Sequence, residues 1–122
     1  MTNAQNGNGK TLGAYLQNII ENEPGTLKAE VAGEALDYDD PKSFFTDLFY
    51  SGCISGMVGK LVYYADTRAF YDRYYHEIES LREEWEESTG EPLQIKGDLK
   101  NYLAWFGFEY TAQNMYFEWE SR

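Results

Sequence analysis

Residues 51–60, SGCISGMVGK, end in the Gly-Lys pair that closes a phosphate-binding loop. Such a loop has the pattern GxxxxGK[ST] and follows a β-strand, so that its backbone amides surround phosphate groups. Here Ile54 stands where the first glycine is needed, and Leu61 stands where serine or threonine is needed. The preceding stretch, FFTDLFY, has helical spacing rather than the alternation of a strand. The sequence therefore predicts a helix here and no nucleotide site.

The glycines of this segment fall on one face of the predicted helix. Gly52, Gly56 and Gly59 are spaced i, i+4, i+7. A face without side chains lets another helix approach closely, and such packing offsets the roughly 1 kcal/mol that each glycine costs relative to alanine. We therefore predict a tight helix-packing contact at these three glycines. The pattern leaves open whether residues 41–65 form one helix or two.

Residue types suited to catalysis are few. His76 is the only histidine and Cys53 the only cysteine. His76 is predicted on a polar helix face near Asp72, whereas the apolar surroundings of Cys53 indicate a buried structural thiol. Metal sites and activated nucleophiles need further ligands or an adjacent base, and no HExxH, CxxC or GxSxG motif is present. The sequence predicts no enzyme, no metal site and no cofactor.

The charge balance restricts the class of partner. The formal net charge is -11, from 21 acidic against 10 basic residues. Because this charge repels phosphate backbones, nucleic acid is not expected as a direct ligand, and basic proteins are favoured. The alternative is that the charge only keeps the protein soluble. No apolar run approaches the roughly 20 residues of a membrane span, and the first ten residues lack a signal-peptide core, so we expect a cytoplasmic protein without a membrane partner.

Apolar residues recur at helical spacing along most of the chain. The polar, glycine-rich residues 1–9 are predicted to be a disordered leader, and residues 10–122 a single helical domain. Helix starts are predicted at Thr11, at Asp40-Pro41, at Asp66 or Thr67, and at Gly97-Asp98. We expect an all-α fold, a single compact bundle of about five helices. The apolar C-terminal helix, which contains DLKNYLAWFGFEY, is expected at its centre.

One predicted helix, over about residues 66–89, combines an apolar stripe with a strongly acidic face. Successive turns rise about 5.4 Å, so acids on this face form a negative row along the helix axis, comparable with the phosphate row of DNA. Tyrosines beside the row are candidate aromatic anchors for a partner protein. The predicted partner-binding residues are Asp72, Glu79, Glu83, Glu86, Glu87, Tyr71 and Tyr75. The alternative is an ordinary solvated helix face.

Two segments carry a resemblance to known proteins. They are FFTDLFYSGCISGMVGKLVYYADTRAFYDRYYHEIESLREEWEE and DLKNYLAWFGFEYTAQ, and both lie in the part of the chain from Phe44 onward, about two-thirds of its length. In these phrases the chain resembles an uncharacterised family of small acidic proteins encoded by phages, plasmids and other mobile elements. The resemblance implies a genomic setting in which small acidic proteins often counter host restriction or CRISPR systems, some of them by imitating DNA.

Composition, the acidic row and the resemblance together give a functional hypothesis. The protein is expected to be a non-enzymatic binding protein of the anti-CRISPR or anti-restriction type, with DNA mimicry as the mechanism. Its partner would be a basic nucleic-acid-binding protein or complex of the host. The alternative is a homo-oligomeric or regulatory protein-interaction module whose contact is aromatic and involves no mimicry.

Overall fold

The computed structural model describes the backbone of residues 11–51 and 64–121, and the side chains of residues 11–48 and 67–121. Within these ranges the chain forms six α-helices and no strands, which confirms the prediction of an all-α protein. The predicted leader, the three glycines Gly52, Gly56 and Gly59, and Cys53 lie outside the described residues. The helices are α1 (Leu12–Asn22), α2 (Leu27–Leu36), α3 (Pro41–Ser51), α4 (Tyr64–Arg73), α5 (Tyr75–Thr89) and α6 (Leu99–Glu120).

Side-chain caps begin several of these helices. Thr11 Oγ1 and an Asp98 carboxylate oxygen each accept a hydrogen bond from the backbone N–H three residues later, at 3.1 and 2.9 Å. Asp40 accepts from Lys42 N at 3.1 Å, and Pro41 is the first residue of α3. These contacts satisfy backbone donors that a helix start leaves unpaired. The predicted starts of α1, α3 and α6 are confirmed.

The prediction of one continuous helix from residue 66 to residue 89 is wrong. Asp66 and Thr67 are not caps, because both lie inside α4. The helix is interrupted at Tyr74, whose φ of -110° and ψ of 26° separate α4 from α5. Hydrogen bonds from Tyr74 N to Phe70 O (3.1 Å) and from Ile78 N to Tyr74 O (2.9 Å) continue across the junction. The apolar stripe therefore keeps its spacing, and the pattern gives no sign of the break.

α6 packs against α2, α3, α4 and α5, and α1 packs against α2 and α3. The apolar stripes of the helices meet in a shared core. Its largest fully buried side chains are Phe44, Phe45, Phe108, Leu16, Leu27, Leu48, Ile78, Leu103 and Met115. The finer prediction, a compact bundle with α6 at its centre, stays a prediction.

Three contacts join α6 to its neighbours. At Gly107 the α6 backbone comes so close to α5 that an added Cβ would lie 2.7 Å from Ile78 Cγ1. Further along α6, Glu118 Oε1 accepts a hydrogen bond from the Tyr15 hydroxyl of α1 at 2.5 Å. The Lys28 ammonium of α2 lies 3.7 Å from the same oxygen. A close glycine contact thus exists on α6, at a position that the glycine spacing did not single out.

Candidate partner-binding surface

The orientation of α5 follows from its apolar residues. Ile78 is fully buried, and Leu81 and Trp85 are partly buried against the core. Because residues turn by about 100° in a helix, the opposite side faces solvent. That side carries His76, Ser80, Glu83, Glu84 and Glu87, all exposed. α5 holds six glutamates and one arginine, so its exposed surface is strongly negative.

Two glutamates of α5 bind backbone amides of neighbouring segments. Glu77 Oε2 accepts a hydrogen bond from Leu27 N, the first residue of α2, at 2.8 Å. A carboxylate at a helix N-terminus satisfies an unpaired donor and interacts favourably with the helix dipole. Glu86 Oε2 accepts from Leu93 N at 2.8 Å, in the connection between α5 and α6. Of the predicted row, Glu86 therefore has a structural contact as well as a charge.

Glu79 lies on the flank of α5 that faces α4. Its carboxylate accepts a hydrogen bond from the Tyr71 hydroxyl at 2.6 Å and lies 3.7 Å from an Arg82 guanidinium nitrogen. Burial raises the pKa of Tyr71, and the hydrogen bond to Glu79 raises it further. Arg82 also lies 3.6 Å from Glu86, so this one cation partly offsets both carboxylates. The Glu79 carboxylate thus has two intramolecular partners, the Tyr71 hydroxyl and the Arg82 guanidinium.

The two tyrosines predicted as anchors have different environments. Tyr71 is only 5% exposed and belongs to the core, so the structure corrects its assignment to the exposed surface. Its position on the apolar stripe, one turn before the buried Tyr74 and two turns before the buried Ile78, explains the burial. Tyr75 is 46% exposed and contacts the His76 ring in a T-shaped arrangement, with 5.2 Å between ring centroids. Tyr75 remains available to a partner.

The predicted acidic row is divided by the helix break. Asp72 lies on α4, and its carboxylate binds the Lys100 ammonium at 2.8 Å. Within the described part of the chain, Glu83 and Glu87 have no hydrogen bond or ion pair. Glu84, which is not among the predicted partner-binding residues, is exposed and accepts one long hydrogen bond, at 3.4 Å, from the Tyr110 hydroxyl. We define the outer α5 face as Glu83, Glu84 and Glu87.

Residues 11–51 and 64–121 contain no group of three or more histidine, cysteine, aspartate or glutamate side chains placed to hold a metal ion. No helix in those ranges is both long enough and apolar enough to cross a membrane. His76 has an exposed ring beside Tyr75, with no nucleophile or metal ligand bonded to it in the described structure.

The helices define an all-α protein with an acidic outer helix face. The chain belongs to the family described as a domain of unknown function (DUF7222), whose model matches residues 17–121. No significant similarity to a curated protein or to a solved structure was found. Because the family description names no activity, the surface itself has to indicate the function.

Proposed function

We propose that the protein is a non-enzymatic acidic binding protein that inhibits a basic nucleic-acid-processing complex of the host, with the outer α5 face as the contact. The observation that carries the proposal is the exposure of Glu83 and Glu87 on the solvent side of α5, without a hydrogen bond or ion pair to the described residues. Carboxylates without internal partners can bind lysine and arginine side chains of another protein without first breaking a contact.

The charge of the remaining glutamates supports the same surface. Glu77 and Glu86 bind neutral backbone amides, and Glu79 binds a neutral hydroxyl, so their negative charges are not cancelled by these contacts. Within α5 only Arg82 offsets them. Glu83 and Glu87 are separated by about 6 Å along the helix axis. A basic channel that accepts phosphates at similar spacing could accept this row, which is the basis for DNA mimicry.

Two further considerations concern the class of target and the rigidity of the acidic face. The resemblance to small acidic proteins of phages and plasmids favours a defence system as the target, of the CRISPR or restriction type, acting in the cytoplasm. The proposal also includes one compact bundle around α6, which contacts α2, α3, α4 and α5 and would hold α5 in a fixed position. A rigid acidic face meets its partner at little entropic cost.

The test compares two charge-reversal variants of the whole chain. The first changes Glu83, Glu84 and Glu87 to lysine, and the control changes the exposed residues Glu21, Glu23 and Glu120 to lysine. Both change the net charge equally, but only the first alters the outer α5 face. Each protein is immobilised, host lysate is applied at low salt, bound proteins are identified by mass spectrometry, and duplex DNA is then added in excess.

The proposal predicts that wild type and control capture the same nucleic-acid-processing protein, that duplex DNA displaces it, and that the α5 variant does not capture it. High salt should release it as well, because exposed charges are screened. Capture that survives reversal of the α5 residues, or a captured protein that DNA fails to displace, would refute the mimicry mechanism. Circular dichroism establishes that the variants remain folded.

A second candidate function rests on exposed aromatic surface. Phe117 is 55% exposed and lines a groove of about 490 Å³ together with Trp85, Phe106 and Tyr110. Aromatic grooves of this kind favour a protein-interaction module, including self-association. Sedimentation velocity at low and high salt tests it: self-association that persists at high salt and is lost in Phe117→Ser supports the module. A monomer at all concentrations would refute self-association through this groove.

A further inference from the structure

A groove unrelated to the outer α5 face runs between α2, α5 and α6. Two cavities, of about 230 and 410 Å³, share the lining residues Lys28, Leu81 and Thr111 and therefore adjoin. Leu27 and Met115 contribute further apolar surface at the two ends. Ligand sites are typically concave and mostly apolar, with a few polar groups that fix orientation, and this groove has that composition.

Thr111 places in this groove a buried hydroxyl without a hydrogen-bond partner among the described residues. It is one of two buried polar residues in the described structure, only 4% exposed, and it lines both cavities. Other threonines in helices, Thr46 and Thr89, donate to the carbonyl four residues earlier. The Thr111 hydroxyl has no hydrogen bond to any described residue. A buried hydroxyl without a partner is unfavourable by about 1–3 kcal/mol, so a ligand that bonds to it gains affinity.

The polar groups of the groove favour a ligand that accepts hydrogen bonds. Two carboxylates also line the groove: Glu118 accepts from the Tyr15 hydroxyl and Glu77 accepts from Leu27 N. These neutral partners do not cancel their negative charges, so an anionic headgroup has to lie next to the Lys28 ammonium. Lys28, by contrast, has a loose ion pair at 3.7 Å, with its side chain 36% exposed. The other donors in the lining, His76, Ser80 and Asn114, are exposed; Lys28 carries a positive charge and Thr111 is buried, and both adjoin the apolar surface of Leu81. A carboxylate attached to an apolar tail matches a cation, a hydroxyl and an apolar floor together.

We infer that the α2–α5–α6 groove binds a small carboxylic acid with an apolar tail. The carboxylate contacts Lys28 and the Thr111 hydroxyl, and the tail lies on Leu27, Leu81 and Met115. This site involves none of the residues of the outer α5 face, so its test is independent of the test of the proposed partner.

The test uses three probes with the same six-carbon tail and different headgroups: hexanoate, 1-hexanol and hexylammonium. Each is titrated to about 20 mM into the full chain at about 0.15 M NaCl, which limits repulsion by the protein's net charge. Binding is followed by NMR at the methyl groups of Leu27, Leu81 and Met115. The variants are Lys28→Met and Thr111→Val, with Lys42→Met on α3 as the matched control.

We expect hexanoate to shift the groove methyls with a millimolar Kd, at least tenfold tighter than 1-hexanol, and hexylammonium to leave them unmoved. Lys28→Met should weaken hexanoate about tenfold without affecting 1-hexanol, and Lys42→Met should change neither. Thr111→Val should weaken hexanoate binding and yet raise the Tm of the free protein, because it removes the unpaired hydroxyl. A merely structural threonine would not give this combination. Groove methyls that no probe moves, equal affinities for the three probes, or hexanoate binding unchanged in Lys28→Met would overturn the inference.

Discussion

Gly107→Ala tests the contact that sets α5 against α6. An added Cβ would lie 2.7 Å from Ile78 Cγ1 and 3.2 Å from Ile78 Cδ1, and Ile78 is fully buried, so it has little room to move. Overpacking of this kind costs about 1–3 kcal/mol, whereas alanine in a helix gains about 1 kcal/mol over glycine. We expect a net loss of up to about 2 kcal/mol in the free energy of unfolding, in place of the gain that alanine brings at an open helix position.

Gly33→Ala is the matched control. Gly33 lies in α2, and nothing comes within 4 Å of a Cβ added there. The same substitution should therefore stabilise the protein by about 0.5–1 kcal/mol. Urea and thermal unfolding followed by circular dichroism measure both variants, and each 1 kcal/mol corresponds to about 4 °C in Tm for a domain of this size.

A second substitution identifies the clash as the cause. Ile78→Ala removes Cγ1 and Cδ1 and leaves Cβ, which is 3.5 Å from the position that a Cβ at residue 107 would occupy. In the Ile78→Ala background, Gly107→Ala should become neutral or stabilising, so the double-mutant cycle should show strong coupling. Stabilisation by Gly107→Ala in the wild-type background, equal to that of Gly33→Ala, would show that α5 and α6 are not this close.

Two other predictions concern partly buried hydrogen bonds. Burial, followed by the proximity of Glu30 and the hydrogen bond to it, raises the pKa of Tyr74 to about 12 from an ordinary value of 10. The folded state therefore holds this proton more tightly than the unfolded state does. The resulting stabilisation is complete below pH 10 and is lost as pH rises towards 12. Across this interval the free energy of unfolding should decline less in Tyr74→Phe than in wild type. Glu77→Ala leaves Leu27 N without its acceptor and should destabilise the protein by about 1–3 kcal/mol, whereas Glu87→Ala, on the same helix, should change unfolding by less than about 0.5 kcal/mol. Equal effects of the two glutamate substitutions would refute the structural role of Glu77.

Local signals made much of the fold predictable. A cap such as Thr11 and the spacing of Leu12, Leu16 and Ile19 act within a few residues, so both can be recognised from sequence. The break at Tyr74 could not be recognised, because the apolar stripe and the backbone hydrogen bonds continue through it. Gly107 was missed for a different reason. The partner that makes glycine necessary there, Ile78, lies in another helix, and nothing near Gly107 in the sequence indicates it.

For the acidic surface too, local features could be predicted from the sequence and long-range contacts could not. Periodicity correctly places Glu83 and Glu87 on the exposed side of α5. It cannot tell which carboxylates are used within the fold, since the partner of Glu77 is 50 residues away and that of Asp72 is 28 residues away. Counting charges along one helix therefore overstates the number of carboxylates that another protein can reach.

The hydrogen bond between Tyr15 and Glu118 joins residues that are 103 positions apart. A contact of such long range closes a large loop, and the entropy of that closure slows its formation. During synthesis α1 leaves the ribosome well before α6, so until α6 is made its apolar residues Leu16 and Ile19 can be covered only by α2 and α3 among the described helices. Among the described helices, docking of α6 is then a late step of folding on the ribosome, and a nascent chain stalled before that helix would be a target for chaperones.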